Sequence, residues 1–205
     1  MSFILQIDSS YSGSDSASRL LAREFVTAWK QHHPDCQIAY RDLALQPVPY
    51  VDRTWVSAMN LSPDRYNLAQ QQTMQASEPI VSEFLAADGY IFALPMYGFT
   101  VPAAFKAYLE HLIRPGRTYT IDEHGLRGIV PPGKKMLVIT SRGAEYNQNS
   151  PLANFDFHEP YLRTIFGSFG IENIEFIYAN NLELGDRDKS IAAAKTEIHA
   201  LARTW

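Results

Sequence analysis

The feature that most constrains this chain is a short, fully apolar run from Gly89 to Leu94 that ends at Pro95. Such a run, bounded by turn signals, is typical of a strand covered on both faces. An aromatic loop containing Gly98 follows, and Pro102 then begins a stretch whose apolar residues recur at helical spacing. This order predicts a buried parallel strand whose following loop lies at the ligand-binding edge of an open sheet.

Short apolar runs alternate with helical patterns along the rest of the chain. Further strands are predicted at Phe3 to Asp8, Gln37 to Leu43, Lys135 to Thr140 and Ile174 to Tyr178. Helices are predicted from the Ser16 or Ser18 cap to near His33, from Ser62 onward with a kink or break at Pro79, from Pro102 to about Ile113, from Tyr161 to Phe169, and from about Arg187 to Leu201. Because parallel neighbours need long crossovers, we expect an α/β fold, a three-layer sandwich of five parallel strands in the order 2-1-3-4-5 with helices on both faces.

Length and composition fit one domain over residues 1–205, since 205 residues with 46% hydrophobic and 20% charged content are ordinary for a globular protein. Residues 45–61 contain two prolines and are predicted to form an irregular surface crossing. A small β excursion is predicted at about 118–130, pairing Thr118 to Ile121 with Gly128 to Val130. Such an insertion is usually a lid or a partner contact.

Charge and cysteine content exclude several classes of function. A net charge of -4 provides no general surface for nucleic acid. Cys36 is the only cysteine, which excludes an internal disulfide, a cysteine-based zinc cluster and an iron–sulfur centre. The amino terminus does not resemble a signal peptide, and no segment reaches membrane-spanning length, so we expect a soluble cytoplasmic protein that binds no membrane.

In the expected sheet order, the loops after strands one, three and four meet at one crevice. The first is a serine-rich loop that enters a helix amino terminus, where free N–H groups and the hydroxyls of Ser10, Ser16 and Ser18 favour an anion. Taken alone, this loop is more readily a capped turn, but its position after the first strand favours a phosphate site. The motifs of lysine-bearing phosphate loops and of standard dinucleotide binding are absent.

The other two loops are suited to a flat ring. Met96, Tyr97 and Phe99 present apolar surface beside Gly98, and core packing is the alternative interpretation of these aromatics. The small residues of Ser141-Arg142-Gly143-Ala144 let backbone amides face a ring system, and an ordinary surface charge is the alternative interpretation of Arg142.

No set of side chains in the sequence indicates a nucleophile, an acid–base pair or a metal site. The six histidines are dispersed without metal-ligand spacing, and Cys36 has no evident base beside it. Asp156 and Glu159 are interpreted as helix-start or surface charges. We therefore predict no catalytic side chain and no metal, and expect a cofactor to carry the chemistry.

These residues together resemble those of the FMN-dependent NADH:quinone oxidoreductases, also called azoreductases, which are homodimers of flavodoxin-like fold. The resemblance covers nearly the whole chain. The residues that carry it are Ser9-Ser10 with Ser16-x-Ser18, Pro95-Met96-Tyr97-x-Phe99, Gly133-Lys134-Lys135 leading to Thr140-Ser141-Arg142-Gly143, and Pro160-Tyr161-Leu162 leading to Phe169-Gly170-Ile171.

The resemblance implies one tightly bound, non-covalent FMN per subunit. Its phosphate would be enclosed by Ser10, Ser16, Ser18 and the backbone of Ala17, and its ring would be bordered by Pro95, Met96, Tyr97, Gly98, Phe99, Ser141, Arg142, Gly143 and Ala144. The implied substrate pocket contains Phe99, Tyr119 and Tyr146. The family often has asparagine at position 98, glycine at 144 and a small apolar residue at 117, where this chain has Gly98, Ala144 and Arg117.

The implied activity is a ping-pong transfer of two electrons from NADH, with NADPH as the alternative donor, to quinones and azo compounds. The implied assembly is a homodimer with its sites near the interface, each covered by the partner's β excursion. A flavodoxin-like electron carrier or FMN-binding regulatory module is the main alternative, and an inactive interaction domain without flavin is the third.

Overall fold

The computed structural model describes residues 3–205. Its strands are β1 (Phe3–Asp8), β2 (Gln37–Asp42), β3 (Gly89–Pro95), β4 (Tyr119–Asp122), β5 (Gly125–Gly128), β6 (Lys135–Ser141) and β7 (Asn173–Ala179). Its α-helices are α1 (Ala17–Lys30), α2 (Arg53–Ala58), α3 (Leu68–Ala86), α4 (Ala103–Leu112), α5 (His158–Phe169) and α6 (Arg187–Leu201).

Five of these strands form one parallel sheet in the order β2-β1-β3-β6-β7. The strands β4 and β5 form a separate antiparallel hairpin. When the hairpin is left out of the numbering, β6 and β7 are the fourth and fifth strands along the chain, so the five sheet strands have the order 2-1-3-4-5. The predicted parallel five-stranded sheet flanked by helices is therefore confirmed.

The central strand β3 is buried along its whole length, because both faces of the sheet are covered. Tyr90, Phe92 and Leu94 point to one core, which packs against α3, α4 and α5. Ile91 and Ala93 point to the other core, which packs against α1 and α6. Within residues 3–205, no helix combines the length and apolar character needed to cross a bilayer.

The segment before α3 differs from the prediction in two places. Residues 45–61 are not irregular throughout, because Arg53–Ala58 forms a short helix capped by Asp52 and anchored by buried Trp55. The predicted helix start at Ser62 is wrong, since Pro63–Arg65 forms only a 3-10 turn. The helix begins at Leu68, where Asn67 and Gln70 form a reciprocal capping box with bonds of 2.9 and 3.0 Å. Two donors satisfied together define a helix start better than a serine followed by proline.

Pro79 does not divide the following helix, which continues as α3 from Leu68 to Ala86. A proline inside a helix removes one backbone hydrogen bond. Here the cost is offset by packing, because Met74 and Ser77 before the proline and Ile80, Val81 and Phe84 after it are all buried.

The hairpin occupies the segment where the β excursion was predicted, but its second strand lies earlier. Gly125–Gly128, rather than Gly128 to Val130, pairs with Tyr119–Asp122. Beyond β5 the chain leaves the hairpin to contact the carboxyl end of α5, where the Val130 N–H donates to the Phe169 carbonyl at 3.1 Å. A Cβ at Gly128 would lie 2.1 Å from the Phe169 carbonyl carbon, so this close approach requires glycine.

Candidate functional site

The carboxyl ends of β1, β3 and β6 are adjacent in the sheet, and their loops enclose a cleft of about 410 Å³. The loop between β7 and α6 completes one wall. The lining residues are Ser10, Ser12, Asp15, Ser16, Ala17, Pro95, Met96, Tyr97, Gly98, Phe99, Ser141, Arg142, Gly143, Tyr146, Leu182, Glu183 and Arg187. The structure therefore brings together every cofactor residue named from the sequence except Ser18 and Ala144.

One end of the cleft is the amino terminus of α1. The Ser16 hydroxyl caps the helix by accepting from the Arg19 N–H at 3.4 Å. Among the hydrogen bonds recorded for residues 3–205, none involves the backbone N–H groups of Ala17 and Ser18. Free N–H groups in a first helical turn, reinforced by the helix dipole, attract an anion. Ser18 itself is fully buried, and its hydroxyl lies 3.2 Å from that of Ser16, so it supports the loop from behind.

A buried ionic cluster beneath the serine loop was not anticipated from the sequence. The Arg19 guanidinium donates to both carboxylate oxygens of Asp42 and, at 3.3 Å, to Asp8. It also donates to the Ser10 carbonyl, from Nη2 at 2.7 Å and from Nε at 3.2 Å. Arg19 therefore fixes the backbone at Ser10, and its own charge is compensated by two carboxylates.

The two carboxylates of this cluster respond differently to their surroundings. Burial raises the pKa of Asp8, although hydrogen bonds from Tyr40 and Gln6 and the charge of Arg19 oppose the shift. Burial alone would also raise the pKa of Asp42, but the bidentate hydrogen bonds of Arg19 and two backbone N–H donors lower it overall. Asp42 is thus the firmly ionised partner of Arg19.

The aromatic wall of the cleft is a tight turn from Tyr97 to Thr100, closed by reciprocal backbone hydrogen bonds of 3.0 and 3.1 Å. Its two central residues, Gly98 and Phe99, have φ of 54° and 67°. Two positive φ values in succession are the requirement of a type I′ turn, in which glycine and asparagine are favoured. Gly98 therefore suits the first of the two positions.

Phe99 adopts an unfavourable backbone conformation and is still 43% exposed. Its ring packs on Phe155 at 5.1 Å and lies 6.5 Å from Tyr146, measured between ring centroids. At the other side of the turn, the Tyr97 hydroxyl lies 3.1 Å from the Ser10 hydroxyl and links the aromatic loop to the serine loop. Strain held at a cleft in this way is typical of a binding site.

Arg142 is not a surface charge, since only 3% of its side chain is exposed. Its Nη1 donates to Asp156 Oδ2 at 2.9 Å, and its guanidinium carbon lies 4.7 Å from the centre of the Tyr178 ring. Asp156 Oδ1 in turn accepts from the N–H groups of His158 and Glu159 at the start of α5. Asp156 is therefore a helix-start residue, as predicted, and also the ionic partner of a cleft residue, which was missed.

His158 lies beside this ion pair and is fully buried. Burial, with a smaller contribution from the positive charge of Arg142, lowers the pKa of His158 to about 3. The imidazole is therefore neutral at physiological pH. Its Nδ1 lies 3.5 Å from the Thr140 hydroxyl near the end of β6.

The loop between β7 and α6 contributes Leu182 and Glu183 to the cleft, and the first residue of α6, Arg187, also lines it; none of the three was named as a site residue from the sequence. The Glu183 and Leu184 N–H groups donate to the Gly143 carbonyl at 3.0 and 2.9 Å, which holds this loop against the one after β6. The expected sheet order could have identified this loop as part of the cleft, because the fifth strand neighbours the fourth and ends at the same edge of the sheet.

Three residues named from the sequence lie away from the cleft. Ala144 is buried behind it, with 5% exposed. Tyr119 packs in the larger core at the base of the hairpin, with 9% exposed. Arg117 forms an ion pair with Glu78 and donates to the Ser82 hydroxyl at 3.4 Å. The charge of Arg117 is thus compensated on α3.

Comparisons with known proteins agree with this architecture. A sequence profile described as a flavodoxin-like fold matches residues 2–202. A protein of Nostoc punctiforme named FMN-dependent NADH:quinone oxidoreductase is 46% identical to this chain, with 98% of each chain covered. The chain belongs to this flavodoxin-like family. Another family member, from Trichormus variabilis and named FMN-dependent NADH:quinone oxidoreductase 2, is 44% identical over the full length of both chains.

Solved structures of azoreductases share the fold of this chain. The crystal structure of an FMN-dependent NADH-azoreductase from Bacillus anthracis in complex with FMN has a TM-score of 0.90 and 24% identity, with 98% of each chain covered. The azoreductase AzrA has a TM-score of 0.93 and 22% identity over the whole of both chains. At this level of identity the likeness supports the fold.

Proposed function

We propose that this family member is an FMN-dependent oxidoreductase that transfers two electrons from NADH to quinones and reductively cleaves aromatic azo compounds. The observation that carries the proposal is the cleft, because the loops that line it contain the residues on which the family resemblance rests. Relatives that match 98% or more of the chain are named FMN-dependent NADH:quinone oxidoreductases, and a solved structure of the same fold is named an FMN-dependent NADH-azoreductase. When bound, FMN would supply the hydride acceptor and the two-electron donor.

The cleft fits FMN in three respects. The N–H groups of Ala17 and Ser18 are free for a phosphate, and the hydroxyls of Ser10 and Ser16 lie at the same end. The space beyond Gly98 is open, because a Cβ there would meet nothing within 4 Å. Exposed Phe99 and half-buried Tyr146 border the opposite end with apolar surface, where a flat ring and a flat substrate can pack.

The residues of this chain would act by binding and positioning FMN. The serine loop would bind the phosphate, the turn from Tyr97 to Thr100 would position one edge of the ring, and Ser141, Arg142 and Gly143 would position the other. No side chain in the cleft is needed as an obligate acid or base, because protons can be taken from water. We also propose a single FMN-binding domain, a homodimer with its sites near the interface, and a cytoplasmic location.

The test is an absorbance spectrum of the purified protein followed by anaerobic titration with NADH and then with a quinone or an azo dye. We expect one flavin per chain, reduction by one equivalent of NADH, and full reoxidation by either acceptor. A protein that binds no FMN would refute the proposal. So would accumulation of one-electron-reduced flavin without NADH turnover, which is the behaviour of an electron carrier.

A matched pair of serine variants tests the placement. Ser10→Ala removes a hydroxyl that lines the cleft, whereas Ser14→Ala removes an exposed hydroxyl of the same loop that does not. Since a hydrogen bond to a charged group contributes about 1.5 kcal/mol or more, Ser10→Ala should weaken FMN binding by roughly tenfold. Ser14→Ala should bind FMN like the wild type.

For assembly, light scattering should give the mass of a dimer. A monomer with full activity at high dilution would contradict the proposed site near the interface.

A further inference from the structure

Two buried arginines of the site, Arg19 and Arg142, are already compensated by carboxylates. Arg19 is buried between Asp8 and Asp42, and its remaining donors hold the Ser10 carbonyl. Arg142 is paired with Asp156. Neither guanidinium is therefore an uncompensated charge for an anion that enters the cleft.

Arg187 differs from both of these arginines. It is the first residue of α6, it is exposed, and it lines the cleft. Among the hydrogen bonds and ion pairs recorded for residues 3–205, none involves its side chain. Arg187 is thus a cleft cation whose charge is not matched by a protein group in contact with it.

The packing of α6 against α1 determines which residues of α1 lie beside Arg187. Both helices cover the same face of the sheet, and both begin at the carboxyl edge of parallel strands. Glu24 of α1 binds two residues of α6, Lys195 at 3.0 Å and His199 at 3.0 Å. These contacts bring residues 195–199 level with residue 24.

Residue 24 is level with residues 195–199, so Ser16, eight residues and about 12 Å back along α1, is level with residues 187–191 of α6. Within that range, Arg187 is the residue that lines the cleft. Ser16 lines the same cleft. This places Arg187 at the serine-loop end of the cleft rather than at the aromatic end formed by Phe99 and Tyr146.

The other charges that line the cleft favour a cation here. The cleft is also lined by the carboxylates of Asp15 and Glu183, and the serine loop itself contributes only neutral donors. A phosphate monoester carries about -1.5 to -2 charges at pH 7. Without Arg187 it would meet two like charges and no uncompensated opposite charge.

We propose that Arg187 binds the phosphate group of the flavin and makes the cleft select FMN over riboflavin. This inference rests on the proposed function and extends it to a residue outside the family's motif. The contact is made across the cleft from the serine loop, so that the phosphate is held between the amino terminus of α1 and the side chain at the start of α6.

The test compares the affinities of the flavin-free protein for FMN and riboflavin, measured by quenching of flavin fluorescence. Arg187→Gln removes the proposed contact. Lys189→Gln is the matched control, because it makes the same change of charge in the same helical turn at an exposed residue that does not line the cleft. An exposed ion pair contributes little, so we expect Arg187→Gln to weaken FMN binding about fivefold.

Riboflavin should bind to Arg187→Gln within about twofold of the wild type, and Lys189→Gln should leave both flavins within that range. Arg187→Glu should weaken FMN further than Arg187→Gln does. An unchanged FMN affinity in Arg187→Gln would overturn the inference while leaving the proposed function intact. An equal loss for riboflavin, or an equal loss in Lys189→Gln, would overturn it as well. A wild-type protein that binds neither flavin would overturn both.

Discussion

The ion pair between Arg142 and Asp156 should be a main determinant of the stability of the cleft. Asp156 has two roles that its two oxygens separate: Oδ2 accepts from Arg142 at 2.9 Å, and Oδ1 accepts from the N–H groups of His158 and Glu159 at 3.0 and 3.1 Å. The side chains of Arg142 and Asp156 are 3% and 13% exposed. Asp156→Ala would remove both roles at once.

The expected loss follows from these contacts. Loss of a helix cap costs about 1 kcal/mol. Removal of one partner of a buried ion pair costs about 3 kcal/mol or more, because the remaining charge is left unpaired. Arg142 has little to replace Asp156, since its Nε and Nη2 are already buried without a partner among the described residues. Asp156→Ala should therefore lower the free energy of unfolding by roughly 4 kcal/mol, a large part of the 5 to 15 kcal/mol typical of a domain.

Two further variants separate the two roles. Asp156→Asn keeps an oxygen for the cap and loses the charge, so it should cost roughly 3 kcal/mol. Arg142→Met combined with Asp156→Ala leaves no unpaired charge, so the double variant should recover most of the stability that Asp156→Ala alone loses. The double variant should retain little more than the cap deficit of about 1 kcal/mol.

The assay is equilibrium unfolding in urea without flavin, followed by circular dichroism. The control is Asp186→Ala, because Asp186 caps α6 by accepting from the Lys189 N–H at 3.0 Å and forms no ion pair within residues 3–205. It should lose about 1 kcal/mol. If Asp156→Ala costs no more than Asp186→Ala, or if the double variant is as unstable as Asp156→Ala alone, the buried charge is not the cause.

Two other predictions concern buried His158 and the aromatic turn. The pKa of His158 is lowered to about 3 in the folded protein, whereas an unfolded histidine titrates near pH 6.5. The unfolded state therefore binds the extra proton between these values, and the stability that neutral His158 maintains above pH 6.5 is lost as the pH falls toward 3. At pH 5 the loss is about 2 kcal/mol. The free energy of unfolding of His158→Gln should not show this decrease. An equal decrease between pH 7 and pH 5 in the wild type and in His158→Gln would contradict the prediction. At the aromatic turn, Gly98→Val should cost about 1 to 2 kcal/mol from backbone conformation alone, since its Cβ meets nothing within 4 Å, while Gly98→Asn should be nearly neutral in urea unfolding. Gly167, with equal space and no positive φ, is the control site at which valine should not destabilise.

The sheet and the motif loops could be predicted because their signals are local. The run at β3 is apolar throughout, is short and is bounded by turn signals, which is the pattern expected of a strand covered on both faces. Helix starts were less predictable, because several caps compete. Ser62 followed by Pro63 and Asn67 followed by Gln70 both resemble a start, and only the second pair satisfies two donors. Pro79 was misleading for a related reason, since burial of the residues around it outweighs a missing hydrogen bond.

The charged residues of the site could not be predicted in the same way, because an ion pair depends on how elements are placed relative to one another. Arg19 and Arg142 look like surface charges in the sequence, yet each is buried against a carboxylate from another element or loop. Arg187 differs in that it is exposed and contacts no such partner among the described residues, and its place in the cleft is seen only once α6 is aligned with α1. A serine loop without lysine identifies a phosphate site from its neutral donors, but the cation that balances the phosphate must come from a distant part of the chain. Helix packing, rather than a motif, therefore decides which arginine can take that role.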